Sequence, residues 1–376
     1  MEHLILLASA FCAAAALLHF GSILTVMMRL RRPERSSLPV GAPAVSILRP
    51  VCGMENFVEQ TLRSTFRLDH PCYEIVFCVA NAGDPVVPIV RRLIAEHPHV
   101  EARLLIGNAE IGANPKLNNL VKGWQAARHD WILMVDSNVL MRSDHVQCMF
   151  LAWTPDTGLV CSPPIGYAPQ NLWAELECAF LNTYQARWQC FADSLGMGFA
   201  QGKSMLWRRQ MLDRVGGIKS LGREVAEDAA ATKIVRELGL KVRLVKAPFV
   251  QPLGHRRATD VWRRQLRWAR LRRDTFKGFF MPEVCAGAVF PILAGAWVAA
   301  AAGWPVIGTV LAVAFAWYGA EALLARAAGW PLSARAIAAW IMRDALLPVL
   351  WIAAWVGNEF EWRGNAMTLA GQERPS

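Results

Sequence analysis

Three aspartates punctuate this chain where chemistry can be done: Asp84 in NAGDP (81–85), Asp136 in WILMVDSN (131–138) and Asp228 in AEDAA (226–230). A carboxylate can ligate a hard divalent cation or take the proton of a hydroxyl as a general base. Further along, WRRQLRWARLRR (262–273) holds six arginines. Arg264, Arg267 and Trp268 stand there at i, i+3 and i+4, on one helical face. Guanidinium groups clamp diphosphates, so metal, diphosphate and base chemistry can be written from these residue types. Each also has a plainer reading. Asp136 can open a turn. Glu227 and Asp228 can favour the positive end of a helix. The arginines can form a polybasic juxtamembrane helix drawn to anionic lipid.

The elements that must position these residues alternate. AVSILRP (44–50), YEIVFCVA (73–80), VEARLLIG (100–107) and WILMVD (131–136) read as strands. Between them NFVEQTLRSTFRL (56–68), VVPIVRRLIAEH (86–97) and KLNNLVKGWQAAR (116–128) read as helices. That order implies an α/β fold with a mostly parallel sheet. Asp84 and Asp136 both follow strand ends, the side on which such sheets bind ligands, so they can converge on one crevice. No G-x-G-x-x-G and no Walker phosphate loop occurs, which argues against a dehydrogenase or a P-loop ATPase. Beyond residue 150, LVCSPPIGYAP (159–169) suggests a strand and a Pro-rich loop, and MGFAQGKSMLWRRQML (197–212) a strand between loops. LWAELECAFLNTYQARWQCFA (172–192) has a helical pattern rich in aromatics, fit for a core or for a membrane surface. EVAEDAAATKIVRELG (224–239) is a helix with Glu227 and Asp228 in its first turn.

The composition asks for a membrane. Of 376 residues, 54% are hydrophobic and 19% charged, with a net charge of +10. Ten of the sixteen tryptophans lie from Trp262 onward, as interfacial anchors do. The nine cysteines show no C-x-x-C and no zinc-ligand spacing, so they read as reduced packing thiols. Leu4 to Met28 is 25 residues without a formal charge, too long for a typical signal-peptide core and best read as a retained helix. RLRRPER (29–35) follows, so the positive-inside rule puts that side in the cytoplasm. Val284 to Ala320 is 37 uncharged residues with Gly303-Trp304-Pro305 as a turn. That predicts two helices, about 284–302 and 305–325. A third segment, about 336–357, is interrupted by Arg343 and Asp344 and contains Pro348. It reads as a full span whose charges must pair or face protein, the alternative being an interfacial helix followed by a re-entrant piece. The expected organisation is a transmembrane helix over 1–28, a cytoplasmic catalytic domain over 29–280 with interfacial helices, and a membrane domain of two to three spans over 281–376.

Together these pieces resemble the processive-type GT-A glycosyltransferases, and most closely the ceramide glucosyltransferase family, glycosyltransferase family 21. The resemblance runs over about 44–280. It rests on Asp84, Asp136 and Asp228 in order, on GANPKLNNL (112–120) after the third strand, and on Arg264-Gln265-Leu266-Arg267-Trp268 as the (Q/R)-x-x-R-W motif. It implies a GT-A fold, a UDP-sugar donor, a divalent metal (Mg²⁺ or Mn²⁺) and inversion at the anomeric carbon. It also implies roles. Asp84, Asn114, Lys116, Arg264 and Arg267 would bind the donor, Asp136 the metal and diphosphate, and Trp268 the acceptor. Asp228 would be the base, its helix-dipole setting favouring the ionised form. The third position of the expected D-x-D is Asn138 here, and diphosphate oxygens can complete the metal shell around a lone carboxylate.

The function so implied is transfer of glucose from UDP-glucose to ceramide by a bacterial inner-membrane enzyme with its catalytic domain in the cytoplasm. A lipid acceptor accounts for the flanking spans. Alternatives within the class are transfer of N-acetylglucosamine to a hopanoid lipid, or of glucuronate or galactose to ceramide. A non-enzymatic membrane protein with a nucleic-acid-binding domain would explain the arginines but leave the aspartates without a role, so no nucleic-acid partner is expected.

Overall fold

The computed structural model describes residues 2–31, 42–362 and 365–369. Part of the arginine-rich stretch, 32–35, lies outside the described residues. The chain divides into two compact units, Arg32–Tyr167 with Ala192–Gly254, and Met1–Arg31 with Ala168–Phe191 and His255–Ser376.

The first unit is built on a sheet. Its strands are β1 (Val45–Val51), β2 (Tyr73–Val79), β3 (Glu101–Ile106), β4 (Trp131–Val135), β5 (Thr157–Ser162), β6 (Ile165–Pro169), β7 (Ser204–Arg208), β8 (Lys241–Leu244) and β9 (Val250–Gly254). Seven form one sheet in the order β3-β2-β1-β4-β7-β5-β8, and β6 pairs with β9. β1 and β5 are buried along their whole length, as apolar strands of a doubly covered sheet must be. One apolar cluster gathers Ile47, Leu133, Val135 and Leu206 with Val146 and Met149. Another gathers Ile75, Phe77 and Val79 with Leu62, Val90 and Leu93.

The alternation expected from the sequence holds for β1 to β4, which pair in parallel. After β4 the pattern changes. β7 enters antiparallel between β4 and β5, making the sheet mixed. The stretch expected as a strand and a loop over 159–169 supplies two strands, because Pro163 and Pro164 interrupt the backbone ladder between β5 and β6.

The second unit is helical apart from the antiparallel strand pair Glu359–Trp362 and Asn365–Thr368. Glu2–Arg31, Val306–Ala328 and Ala334–Trp355 are each long and apolar enough to cross a membrane. The helix expected over 284–302 is not one straight span. Val289–Ala301 is 13 residues, about 20 Å, short of a hydrocarbon core of about 30 Å. It qualifies only together with Lys277–Cys285, from which it is bent by 47°. Pro282 lies in the 3₁₀ turn Met281–Cys285 that closes the first piece, and the bend falls after it, between Cys285 and Val289. The segment with Pro348 is one continuous helix, Ala334–Trp355, without a re-entrant break. The aromatic run over 172–192 forms α-helix Leu172–Ala179, a π-helical segment Phe180–Ala186 and α-helix Arg187–Ser194.

The charges buried inside these helices are paired. Arg343 contacts Glu321 and Asp344, both at 2.8 Å, and donates to Thr183 Oγ1 at 2.7 Å. All three ionic side chains are buried. Arg343→Met strands two buried carboxylates, so a loss of about 3–5 kcal/mol is expected, read as a lower Tm in detergent. An unchanged Tm would show that Glu321 and Asp344 do not need a cation.

Candidate active site

The site grows from the turn into the helix Pro115–Ala126. Asn114 is its N-cap, accepting from Lys116 N at 2.9 Å and Leu117 N at 3.2 Å. Pro115 fits the first helical position, where no N–H is needed. The Asn114 amide nitrogen then donates to Glu227 Oε2 at 2.8 Å and Val225 O at 3.1 Å. The cap thus ties this helix to the first turn of Glu227–Glu237.

Lys116, the second residue of the helix Pro115–Ala126, divides its ammonium among three acceptors. Asp136 Oδ1 lies at 2.6 Å, Glu227 Oε1 at 2.7 Å and the Gly202 carbonyl at 2.5 Å. A side chain at Gly202 would displace the Glu227 carboxylate from this arrangement. A Cβ there would lie 2.6 Å from Glu227 Oε1 and 3.3 Å from Lys116 Nζ. The second oxygen of Asp136 meets Lys203 Nζ at 3.0 Å, and Lys203 also donates to Asn138 Oδ1 at 3.1 Å. Lys203 is held there by the antiparallel ladder, since Asp136 N donates to its carbonyl at 3.0 Å. Underneath, buried Arg49 donates to the carbonyls of Ser137 and Thr61, both at 3.2 Å, and pins the turn that follows Asp136.

These contacts set the charges. Burial would raise the Asp136 carboxyl, but Lys116 and Lys203 outweigh it and hold it well below the usual carboxylate range. Burial would lower Lys116, but Asp136 and Glu227 outweigh it and hold the ammonium charged. Asp228 behaves in the opposite way. Burial first, and the neighbouring Glu227 second, push it up to about 7, against the downward pull of Lys116 and of backbone donors at Ala229 and Gly202. This corrects the expectation that the helix start would favour its ionised form. The dipole contribution is overruled by desolvation and a like charge one residue away.

The other expected residues have different partners. Asp84 accepts from Gly53 N at 2.9 Å and Val86 N at 2.9 Å, closing the loop after β1 onto the loop after β2. In the helical unit Ala258–Thr275 carries the arginine motif and buries Val261, Gln265 and Ala269. Arg264 is ion-paired with buried Glu177, which also binds Arg256 Nε at 2.9 Å. Arg267 reaches the Glu361 carbonyl at 3.4 Å, and Trp268 is half-buried. Sequence reasoning missed Lys203, Glu177 and Arg49, and gave Glu227 only a capping part. The legible hint for Lys203 was the Gly-Lys-Ser that opens β7.

The donor set bears on a divalent metal. The end of β4 offers one carboxylate, Asp136, and one amide oxygen, Asn138. Among the described residues there is no group of three His, Cys, Asp or Glu that could hold a metal ion. Such a set fits Mg²⁺ or Mn²⁺ carried on a diphosphate, which supplies the remaining oxygens, and not an all-protein cage.

The model of a family described as glycosyl transferase family 21 matches residues 5–374. Among curated relatives, ceramide glucosyltransferase 3 of Caenorhabditis elegans is 26% identical over 345 residues, covering 90% of this chain and 74% of its own. Ceramide glucosyltransferase 1 of the same organism is 28% identical, covering 71% of this chain and 58% of its own length. The Komagataella phaffii ceramide glucosyltransferase is 28% identical, and the match spans 60% of it. A solved mannosyltransferase from Pyrobaculum calidifontis, in complex with GDP-mannose and Mn²⁺, shares the fold at TM-score 0.50 and 20% identity, over 93% of this chain and 98% of that one.

Proposed function

The chain belongs to glycosyl transferase family 21, and on that footing we propose that it transfers glucose from UDP-glucose to ceramide with inversion at the anomeric carbon. One observation of this molecule supports the reading most. A carboxyl pushed up to about 7, Asp228, adjoins a lysine–carboxylate cluster around Asp136 suited to a diphosphate. Asp228 accepts the proton of the acceptor hydroxyl as its oxygen bonds to the anomeric carbon and the bond to the leaving UDP breaks. A base with a pKa near the working pH is suited to that proton transfer. Lys116 and Lys203 supply positive charge where negative charge develops on the diphosphate. Asp136, with Asn138, would hold the divalent metal, which supplies further charge relief at the same leaving group. Asp84 is assigned to the nucleotide, and Asn114 acts through Lys116 and Glu227.

Incubation of purified protein with labelled UDP-sugars and a lipid panel including ceramide and hopanoids, with products identified by mass spectrometry, tests this reading. Glucosylceramide is the expected product. A product carrying N-acetylglucosamine on a hopanoid, or another sugar on ceramide, would replace it.

For Arg264, Arg267 and Trp268 the assignment to donor and acceptor rests on the motif. Trp268→Ala is expected to cut turnover by about tenfold or more in a protein that still folds, the scale of a misplaced reacting group. Normal turnover would return the helix to a lipid-facing polybasic role. The sheet unit is assigned to the cytoplasm. A cysteine engineered near Ser36 should then be labelled only after the membrane is permeabilised, and labelling from outside would reverse the orientation.

A further inference from the structure

We propose that Lys203 is a placeholder cation, which keeps Asp136 and Asn138 from a divalent metal until a nucleoside diphosphate arrives. The inference rests on the metal reading given above and adds an order of binding to it.

The contacts carry it. Asp136 presents one oxygen to Lys116 at 2.6 Å and the other to Lys203 at 3.0 Å. Lys203 also takes the Asn138 amide oxygen at 3.1 Å. So the two side chains that the end of β4 offers to a hard cation are both already on one ammonium. Lys116 is anchored differently, with Glu227 Oε1 and the Gly202 carbonyl as further acceptors, and it belongs to the frame of the site. Lys203 sits at the start of β7, its backbone fixed to Asp136 N, while its flexible four-carbon stem lets the ammonium swing to a new acceptor.

The charges explain the order. Lys116, Lys203 and the buried Arg49 stand against Asp136 and Glu227, so the local sum is about +1 with Asp228 protonated and close to zero once it ionises. A divalent ion arriving alone would displace Lys203 and then face two ammonium groups within a few ångströms, an arrangement that like charges oppose. A nucleoside diphosphate changes the sum. Its phosphate oxygens accept Lys203, which releases both oxygens of the β4 end, and they also complete the metal shell. Metal and nucleotide therefore favour each other's binding, and the coupling is reciprocal.

The test uses the full chain in lipid nanodiscs and Mn²⁺ alone as the first probe, with free Mn²⁺ followed by its electron paramagnetic resonance signal, without and with UDP. In the natural protein UDP is expected to tighten Mn²⁺ by about tenfold or more, within the usual range of coupling between sites. Lys203→Met and Lys203→Gln are each expected to bind Mn²⁺ about tenfold more tightly than the natural protein in the absence of UDP, and to lose most of the gain from UDP. Lys203→Arg, which retains the charge, should keep the gain. If both neutral variants left UDP-free Mn²⁺ affinity unchanged while UDP still tightened it, the placeholder role would be wrong and the metal reading would stand. If the natural protein held Mn²⁺ equally well without UDP, the ordering would likewise be wrong. No Mn²⁺ binding even with saturating UDP would remove the metal from the proposed function, and this inference with it.

Discussion

Asp228→Asn is expected to bind UDP almost as well as the natural protein and to turn over about 10² times more slowly or worse, the usual scale for losing a general base. The separation follows from where the carboxylate acts. In the proposed mechanism Asp228 receives a proton from the acceptor hydroxyl, whereas the nucleotide is assigned to Asp84, Lys116, Lys203 and Asp136. The pH profile carries a second signature. With its carboxyl pushed up to about 7 by burial and by Glu227, Asp228 can serve as the proposed base only when deprotonated. Activity should therefore rise through about pH 7, and that limb should vanish from the residual activity of Asp228→Asn. UDP affinity and rates across pH 5.5–8.5 would be measured together. Near-normal turnover in the variant would leave Asp228 as a residue that merely starts a helix.

The same raised carboxyl has a consequence for stability with a definite sign. In the unfolded chain an aspartate releases its proton near 3.9, and in the folded protein only near 7. Between those values the folded state binds more protons, so stability falls as pH rises through the window from about 4 to about 7. The aspartate proposed as the base thus weakens the fold at the pH where that role needs it. The amide of the Asp228→Asn variant does not ionise, so a Tm above that of the natural protein at pH 8 should accompany the loss of turnover.

Much of this arrangement was legible along the chain. The strand ending at Val135, the Pro115 helix start and the helix beginning at Glu227 are all local patterns, set by apolar runs and capping residues. What was not legible is what crosses between elements. Lys203 reaches Asp136 because β7 runs antiparallel beside β4, and no local periodicity reveals that a strand some seventy residues later inserts there. Glu227 looked like a dipole partner because its neighbours in sequence are a helix start. Its actual partners, Asn114 and Lys116, come from another helix. The state of Asp228 was misjudged for the same reason. The dipole is a property of its own helix, whereas burial is a property of everything packed around it. In the helical unit the paired charges of Arg343 and Asp344 were foreseeable from the cost of burying them, but Glu321 as the second carboxylate was not.

Asp136→Asn should fail differently from Asp228→Asn, and the difference identifies the role of the carboxylate at the end of β4. The substitution leaves the backbone of the turn intact, since the Val139 N–H donates to the Asp136 carbonyl and not to its side chain. It removes the one negative charge that both Lys116 and Lys203 contact. Two effects then oppose each other. The released ammonium groups become better partners for phosphate, so metal-free UDP binding should persist or improve. The hard oxygen ligand is lost, so the gain in UDP affinity brought by Mn²⁺ should disappear. Turnover should fall by about 10² or more, because positioning of the leaving diphosphate and charge relief at it fail together. Titrations of UDP at limiting and saturating Mn²⁺ distinguish the outcomes. A variant whose UDP affinity still responds to Mn²⁺ as the natural protein does would show that Asp136 only forms the turn. The metal would then have to be held elsewhere, and the mechanism proposed here would not survive.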